Sequence, residues 1–226
     1  MNEQKISGLC VGFGLLALSI AFEGVAVSQW ALQNSGTTRR ITAMHFSSPQ
    51  KGIASTLGGG GLGRVMYTTD GGVSWSVNPN AQWLEATYDI SFLNDSLGVI
   101  VGGAYAFIKR TTDGGNIWTE VYRDGSSLIS LNAATWLNSA VAIVAGYDYT
   151  TTIKGVILRS TDAGATWAKV NSPYDGDLSD IVAVSDKLAF IVGRELIKST
   201  DLGASWNIVS SNIYANYGGA RKLFFY

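Results

Sequence analysis

Thr68-Thr69-Asp70-Gly71-Gly72-Val73-Ser74-Trp75 recurs three more times along the chain. The other copies are Thr111-Thr112-Asp113-Gly114-Gly115-Asn116-Ile117-Trp118, Ser160-Thr161-Asp162-Ala163-Gly164-Ala165-Thr166-Trp167 and Ser199-Thr200-Asp201-Leu202-Gly203-Ala204-Ser205-Trp206. From Asp70 onward their aspartates stand 43, 49 and 39 residues apart. The shared form is Ser/Thr-x-Asp-x-Gly-x-Ser/Thr-Trp, and Ile117 is its one departure. Such a pattern suits a tight hairpin. A carboxylate can accept from backbone N–H groups just beyond it, and Gly can take positive φ without a Cβ penalty. Flanking hydroxyls can satisfy further turn groups, and Trp can re-enter the sheet as a packing plug. The structural reading therefore covers Asp70, Gly72, Trp75, Asp113, Gly115, Trp118, Asp162, Gly164, Trp167, Asp201, Gly203 and Trp206, with no catalytic or metal role for any of them.

Apolar segments precede each copy at Ile41–Phe46, Tyr88–Phe92, Leu131–Trp136 and Leu178–Ala183. A second apolar segment follows each, and a third leads into the box. A fourth strand should leave from Trp. Four short antiparallel strands in about 45 residues match one blade of a β-propeller. The expected fold is all-β, with blades near 41–83, 87–127, 131–176 and 178–217 and the start of a fifth at 220–226. A blade cannot bury both faces alone, so neighbours must stack.

Composition agrees and excludes. The chain has 226 residues, 46% hydrophobic and 15% charged, with net charge −1. That balance argues against a nucleic-acid partner held by bulk charge. One Cys and one His leave no Cys-rich zinc site, no His-based metal site and no Ser-His-Asp triad. No metal or cofactor is expected. The uncharged run Ile6–Phe22 behind Lys5, followed by small residues at Gly24, Ala26 and Ser28, has the layout of a secretory signal in residues 1–28. Cleavage would fall after Ala26 or Ser28, and an uncleaved membrane anchor is the alternative. Either way the propeller, residues 29–226, is expected to be exported to a periplasmic, lumenal or extracellular space.

The boxes are similar to the Asp-box repeat of bacterial neuraminidases. The fuller pattern, with Trp30-Ala31-Leu32-Gln33-Asn34-Ser35-Gly36-Thr37, Ile41-Thr42-Ala43-Met44-His45-Phe46 and Gly52 ahead of the first box, resembles the photosystem II stability/assembly factor family. The resemblance implies a propeller of about seven blades. It also implies a protein partner, with a membrane-protein complex among the candidates. Trp30–Ser35 aligns with the fourth strands and Ala220–Tyr226 with a first strand, so the sequence reads as four blades inside a larger propeller, the alternative being an open arc whose Phe224-Phe225-Tyr226 end packs elsewhere.

Boxes at one rim leave the opposite face to the loops that join second to third strands and one blade to the next. Those loops carry Arg39, Arg40, Trp83, Tyr105, Arg123, Tyr147, Tyr149, Tyr174, Arg194, Tyr214 and Tyr217. Tyr, Trp and Arg give large contact area at low entropy cost, which suits a protein or glycan partner. A non-catalytic binding module or envelope scaffold is the leading reading. The alternative is a glycoside hydrolase, for which Glu85, Asp148, Asp175 and Asp177 are the available carboxylates. Two further features read as structural. Gly58–Gly63 matches Gly-x-Gly-x-x-Gly but precedes a strand, and His45 alternates with apolar neighbours.

Overall fold

The computed structural model describes residues 33–57, 63–83, 85–103, 105–210 and Lys222. The export segment, the strand expected at 220–226 and the candidates Tyr214 and Tyr217 lie outside the described residues, Lys222 apart. The chain divides into Met1–Leu32 and Gln33–Tyr226, and everything below concerns the second unit.

Sixteen strands form four sheets among the described residues, with no helix. The first sheet holds β1 (Ile41–Phe46), β2 (Gly52–Thr56), β3 (Gly63–Thr68) and β4 (Ser76–Trp83). The second holds β5 (Thr87–Phe92), β6 (Gly98–Gly102), β7 (Phe107–Thr111) and β8 (Thr119–Arg123). The third holds β9 (Ile129–Trp136), β10 (Ala142–Asp148), β11 (Lys154–Ser160) and β12 (Ala168–Val170). The fourth holds β13 (Asp180–Ala183), β14 (Ala189–Val192), β15 (Leu196–Ser199) and β16 (Asn207–Ser210). Within each sheet the strands lie in chain order, each antiparallel to the next. These are propeller blades.

Burial follows position in the blade. All five residues of β6 are buried, because neighbouring blades cover both faces of that strand, whereas all four residues of β16 are exposed. The apolar runs of the second strands and the polar fourth strands have this one cause. The core lies between blades. Val65, Ile90, Ile100 and Phe107 pack the first against the second, and Val99 and Ile108 meet Leu131, Val144 and Leu158 across the next interface. Ile143 and Ile157 meet Ile181, Ile191 and Ile197 across the third. Each such side chain contributes about 1.5–3 kcal/mol by leaving water.

Two expectations are corrected. The fourth strands begin one residue after Trp rather than on it, at Ser76, Thr119, Ala168 and Asn207. Residues 33–35, aligned above with fourth strands, form no strand; Asn34 Oδ1 instead accepts the Gly36 N–H at 3.0 Å and bends the chain.

Candidate functional site

Each box closes on itself. Thr68 Oγ1 donates to Asp70 Oδ1 at 2.7 Å and accepts the Gly72 N–H at 2.9 Å. Ser74 then donates twice, its N–H to Oδ1 at 2.9 Å and its hydroxyl to Oδ2 at 2.6 Å. The third and fourth boxes repeat this with Ser160, Asp162, Gly164 and Thr166, and with Ser199, Asp201, Gly203 and Ser205. The carboxylate thus accepts from four residues on, a wider turn than the N–H groups just beyond it would make. The hydroxyls of Ser74, Thr166 and Ser205 are the main reason Asp70, Asp162 and Asp201 are held down to about 2. Gly72, Gly115, Gly164 and Gly203 all take positive φ, from 73° to 92°. Trp118 and Trp206 are buried and Trp75 and Trp167 half-buried. Trp167 and Trp206 donate Nε1 to the carbonyls of Gly164 and Gly203 at 3.1 and 3.2 Å, while Trp118 Nε1 has no partner among the described residues.

The second box differs at Ile117. With no hydroxyl there, Asp113 Oδ1 still accepts from Thr111 Oγ1 at 2.8 Å and the Ile117 N–H at 3.0 Å, but the carboxylate lacks the side-chain donor that Ser74, Thr166 or Ser205 supplies in the other boxes. Burial works against these bonds, which still hold Asp113 below its ordinary value.

Boxes also tie blades together. Each is anchored to its own first hairpin, through Gly71 N–H to Gln50 O, Gly114 N–H to Ser96 O and Ala163 N–H to Ala140 O. The preceding blade grips it from the other side. Asn78 Nδ2 donates to the carbonyls of Gly115 and Asn116 at 2.8 and 3.0 Å. Arg110 Nε donates to Ala163 O at 2.8 Å, and Arg159 Nε to Leu202 O at 2.7 Å. Polar groups on the first strand of the second blade reach both neighbouring blades: Thr87 Oγ1 donates to Thr56 O at the end of β2 at 2.8 Å, and Asp89 Oδ2 accepts the Ala134 N–H of β9 at 2.9 Å. Burial pushes the Asp89 carboxyl up to about 6. Lys222 Nζ reaches Asp180 Oδ1, at the equivalent place in the fourth blade, at 3.3 Å. None of these contacts was anticipated. Polar residues inside otherwise apolar first strands were the signal for Thr87, Asp89 and Asp180.

On the face opposite the boxes the candidates separate. Tyr147 and Tyr149, at the end of β10, meet edge to face with ring centres 4.7 Å apart. Tyr149, Tyr174 and Arg194 line one cavity of about 250 Å³, together with Ile153, Asp175 and Asp177. Burial raises the phenols of Tyr147 and Tyr174 above their ordinary value. Among the described residues, Arg39, Arg40, Tyr105 and Arg123 do not line that cavity. Arg123 pairs with Glu85 at 2.8 Å and with Glu120. Tyr105 is exposed at φ 85° in the turn before β7. Arg39 and Arg40 precede β1, where Arg39 N–H donates to Thr37 Oγ1. Trp83 ends β4. Of the carboxylates on this face, Glu85 holds Arg123, Asp148 Oδ1 accepts the Thr150 N–H at 2.7 Å, and Asp177 Oδ1 accepts from Asn132 Nδ2 at 2.9 Å.

The rim carrying the boxes has a larger groove, missed in the sequence, of about 350 Å³ between the first two blades. His45, Lys51, Tyr67, Phe92, Asp95 and Asp113 line it. His45 stacks on Phe92 with ring centres 4.9 Å apart, and burial lowers its pKa against the opposing pull of Asp95.

Comparison with known proteins follows from this geometry. A family model described as "Photosynthesis system II assembly factor YCF48" matches residues 81–222. No curated protein matches the chain. Among solved structures, YCF48 from Cyanidioschyzon merolae aligns at 16% identity and TM-score 0.56 over 80% of this chain and 59% of that one. The GH74 xyloglucanase from Xanthomonas campestris aligns at 13% identity and TM-score 0.63 over 76% of this chain and 31% of that one. A structure described as YCF48 bound to D1 peptide aligns at 16% identity and TM-score 0.47, over 79% of this chain and 84% of that one. The chain therefore spans under two thirds of the Cyanidioschyzon protein and about a third of the xyloglucanase. The likenesses at TM-scores 0.56 and 0.63 establish the propeller fold.

Proposed function

The chain belongs to the photosynthesis system II assembly factor YCF48 family, and on that membership we propose that it is a non-catalytic propeller that binds a protein partner as an assembly factor. The contact surface in this reading is the face opposite the boxes. One observation carries it: Tyr149, Tyr174 and Arg194, from three separate loops, converge on one cavity beside Tyr147. Aromatic rings already held in place lose little entropy on binding, and Arg adds a planar fork of donors. Glu85, Asp148 and Asp177 hold Arg123, the Thr150 N–H and Asn132, turn and bridge roles that favour binding over sugar hydrolysis, which needs two carboxylates facing one substrate. The charged-then-apolar N-terminal sequence favours action outside the cytoplasm, in a lumenal or periplasmic space.

The test is affinity capture of envelope proteins by the full chain, repeated with Tyr147→Ala combined with Tyr149→Ala. The double variant should keep its melting temperature and lose at least tenfold in affinity for the captured partner. Unchanged affinity would remove this face. Release of sugar from a glycan panel, abolished by Asp175→Asn, would replace the binding reading with hydrolysis.

A further inference from the structure

We propose that the groove between the first two blades binds an arginine side chain presented by a partner polypeptide, in the way the chain's own arginines fill the next two blade interfaces. The repeats supply the comparison. Arg110 pairs with Val99 in its sheet and Arg159 with Ile143, and the residue in the same register of the first blade is Tyr67, opposite Ile53. Arg110 and Arg159 each donate Nε to the carbonyl that follows the box aspartate of the next blade, Ala163 O and Leu202 O. The corresponding carbonyl for the first blade belongs to Gly114. Among the described residues it accepts no hydrogen bond, and Gly114 lines the groove with Tyr67.

A second acceptor lies in the same groove. The Asp113 carboxylate lines it and lacks the side-chain hydroxyl donor of the other boxes, because Ile117 stands where they carry Ser or Thr. The first two blades thus bring a backbone carbonyl and a carboxylate, on the consecutive residues Gly114 and Asp113, to the groove beside Tyr67 and the stacked His45–Phe92 pair. A guanidinium satisfies this arrangement better than an ammonium. It forks to two acceptors, is weakly hydrated, and stacks on aromatic faces. Asp95 and Asp113 outweigh Lys51 in the lining, so the groove is net acidic.

The source of the arginine rests on the reading of this protein as a partner-binding propeller, but the groove can be tested without a natural partner. The full chain is titrated with acetyl-Gly-Arg-Gly-amide and followed by NMR at His45 and Tyr67. Saturable shifts are expected, with the citrulline counterpart at least tenfold weaker and the lysine counterpart weaker by several-fold. Tyr67→Arg supplies the missing guanidinium from within, and should fold because Arg110 and Arg159 already use that geometry. It should weaken the peptide at least tenfold. Asp113→Asn should weaken it several-fold with Tyr67 intact. No saturable response in the unaltered protein overturns the proposal, as does equal binding of the arginine and citrulline peptides or undiminished binding in both variants. The double tyrosine variant tests the opposite face, so either reading can fail while the other stands.

Discussion

Arg110 Nε lies 2.8 Å from the carbonyl oxygen of Ala163, and this bond joins the third strand of one blade to the box of the next. Arg159 and Leu202 repeat it one blade on. The box is therefore more than a hairpin turn, because it presents outward carbonyls that the preceding blade can hold. Arg110→Ala should destabilise the protein by about 1.5–3 kcal/mol, the range for a hydrogen bond to a charged group. Arg110→Lys should recover little, since an ammonium on a flexible stem cannot reproduce the Nε geometry. Urea unfolding monitored by tryptophan fluorescence checks both, and a loss under about 0.5 kcal/mol for Arg110→Ala would deny the coupling.

Ala163 occupies a position where the first two boxes have glycine, and its φ is 58°. An L-residue in that conformation carries a backbone penalty that glycine avoids, partly offset by the greater freedom of glycine when unfolded. Ala163→Gly should stabilise the fold by about 0.5–1 kcal/mol. Gly115→Ala should do the reverse, since φ is 91° and the added Cβ would sit 2.6 Å from Ile53 Cδ1. Thermal unfolding of the pair must move in opposite directions.

Ile117→Ser should complete the second box. The new hydroxyl would donate to Asp113 Oδ2 as Ser74 does to Asp70. Asp113 should then titrate lower than in the unaltered protein, approaching the value of about 2 held by Asp70. Carboxyl carbon NMR across acid pH reads this directly. A midpoint that stays where it was would mean the serine side chain points elsewhere.

Asp89 and the box aspartates impose opposite pH dependences. Burial pushes Asp89 up to about 6, so the native state holds a proton that the unfolded chain gives up nearer 3.8. Its contribution falls as pH rises from about 4 through about 6, on the order of 3 kcal/mol in all. Box carboxylates held near 2 lose their contribution as pH falls from about 4 to about 2. Asp89→Asn keeps an acceptor for the Ala134 N–H and should flatten stability between pH 4 and 6 while leaving the acid limb in place. Denaturant midpoints measured across pH 2–7 separate the two limbs, and a retained fall above pH 4 would assign it to another group.

How much of this was legible depends on how far apart the interacting residues lie in sequence. The box spans eight residues, and its hydroxyls, carboxylate and glycine meet within one turn, so its spacing alone announced the blade. Strand order followed, because four short segments per repeat joined by tight turns can satisfy their backbones as an antiparallel sheet. The gathering of Tyr149, Tyr174 and Arg194 was legible only as membership of one face. Arg123 belonged to the same face by sequence, but in space it is taken up by Glu85 and Glu120.

Repetition, turn chemistry and the alternation of apolar segments by themselves determined the all-β propeller, because each acts over a few neighbouring residues. Tertiary structure alone decided what passes between blades. The reach of Arg110 to Ala163 crosses 53 residues and that of Asn78 to Gly115 crosses 37. Small departures from the repeat acquire meaning there. Tyr67 in place of an arginine looks like drift in a sequence, and only stacking the blades sets it beside Asp113 and Gly114 of the next box in one open groove.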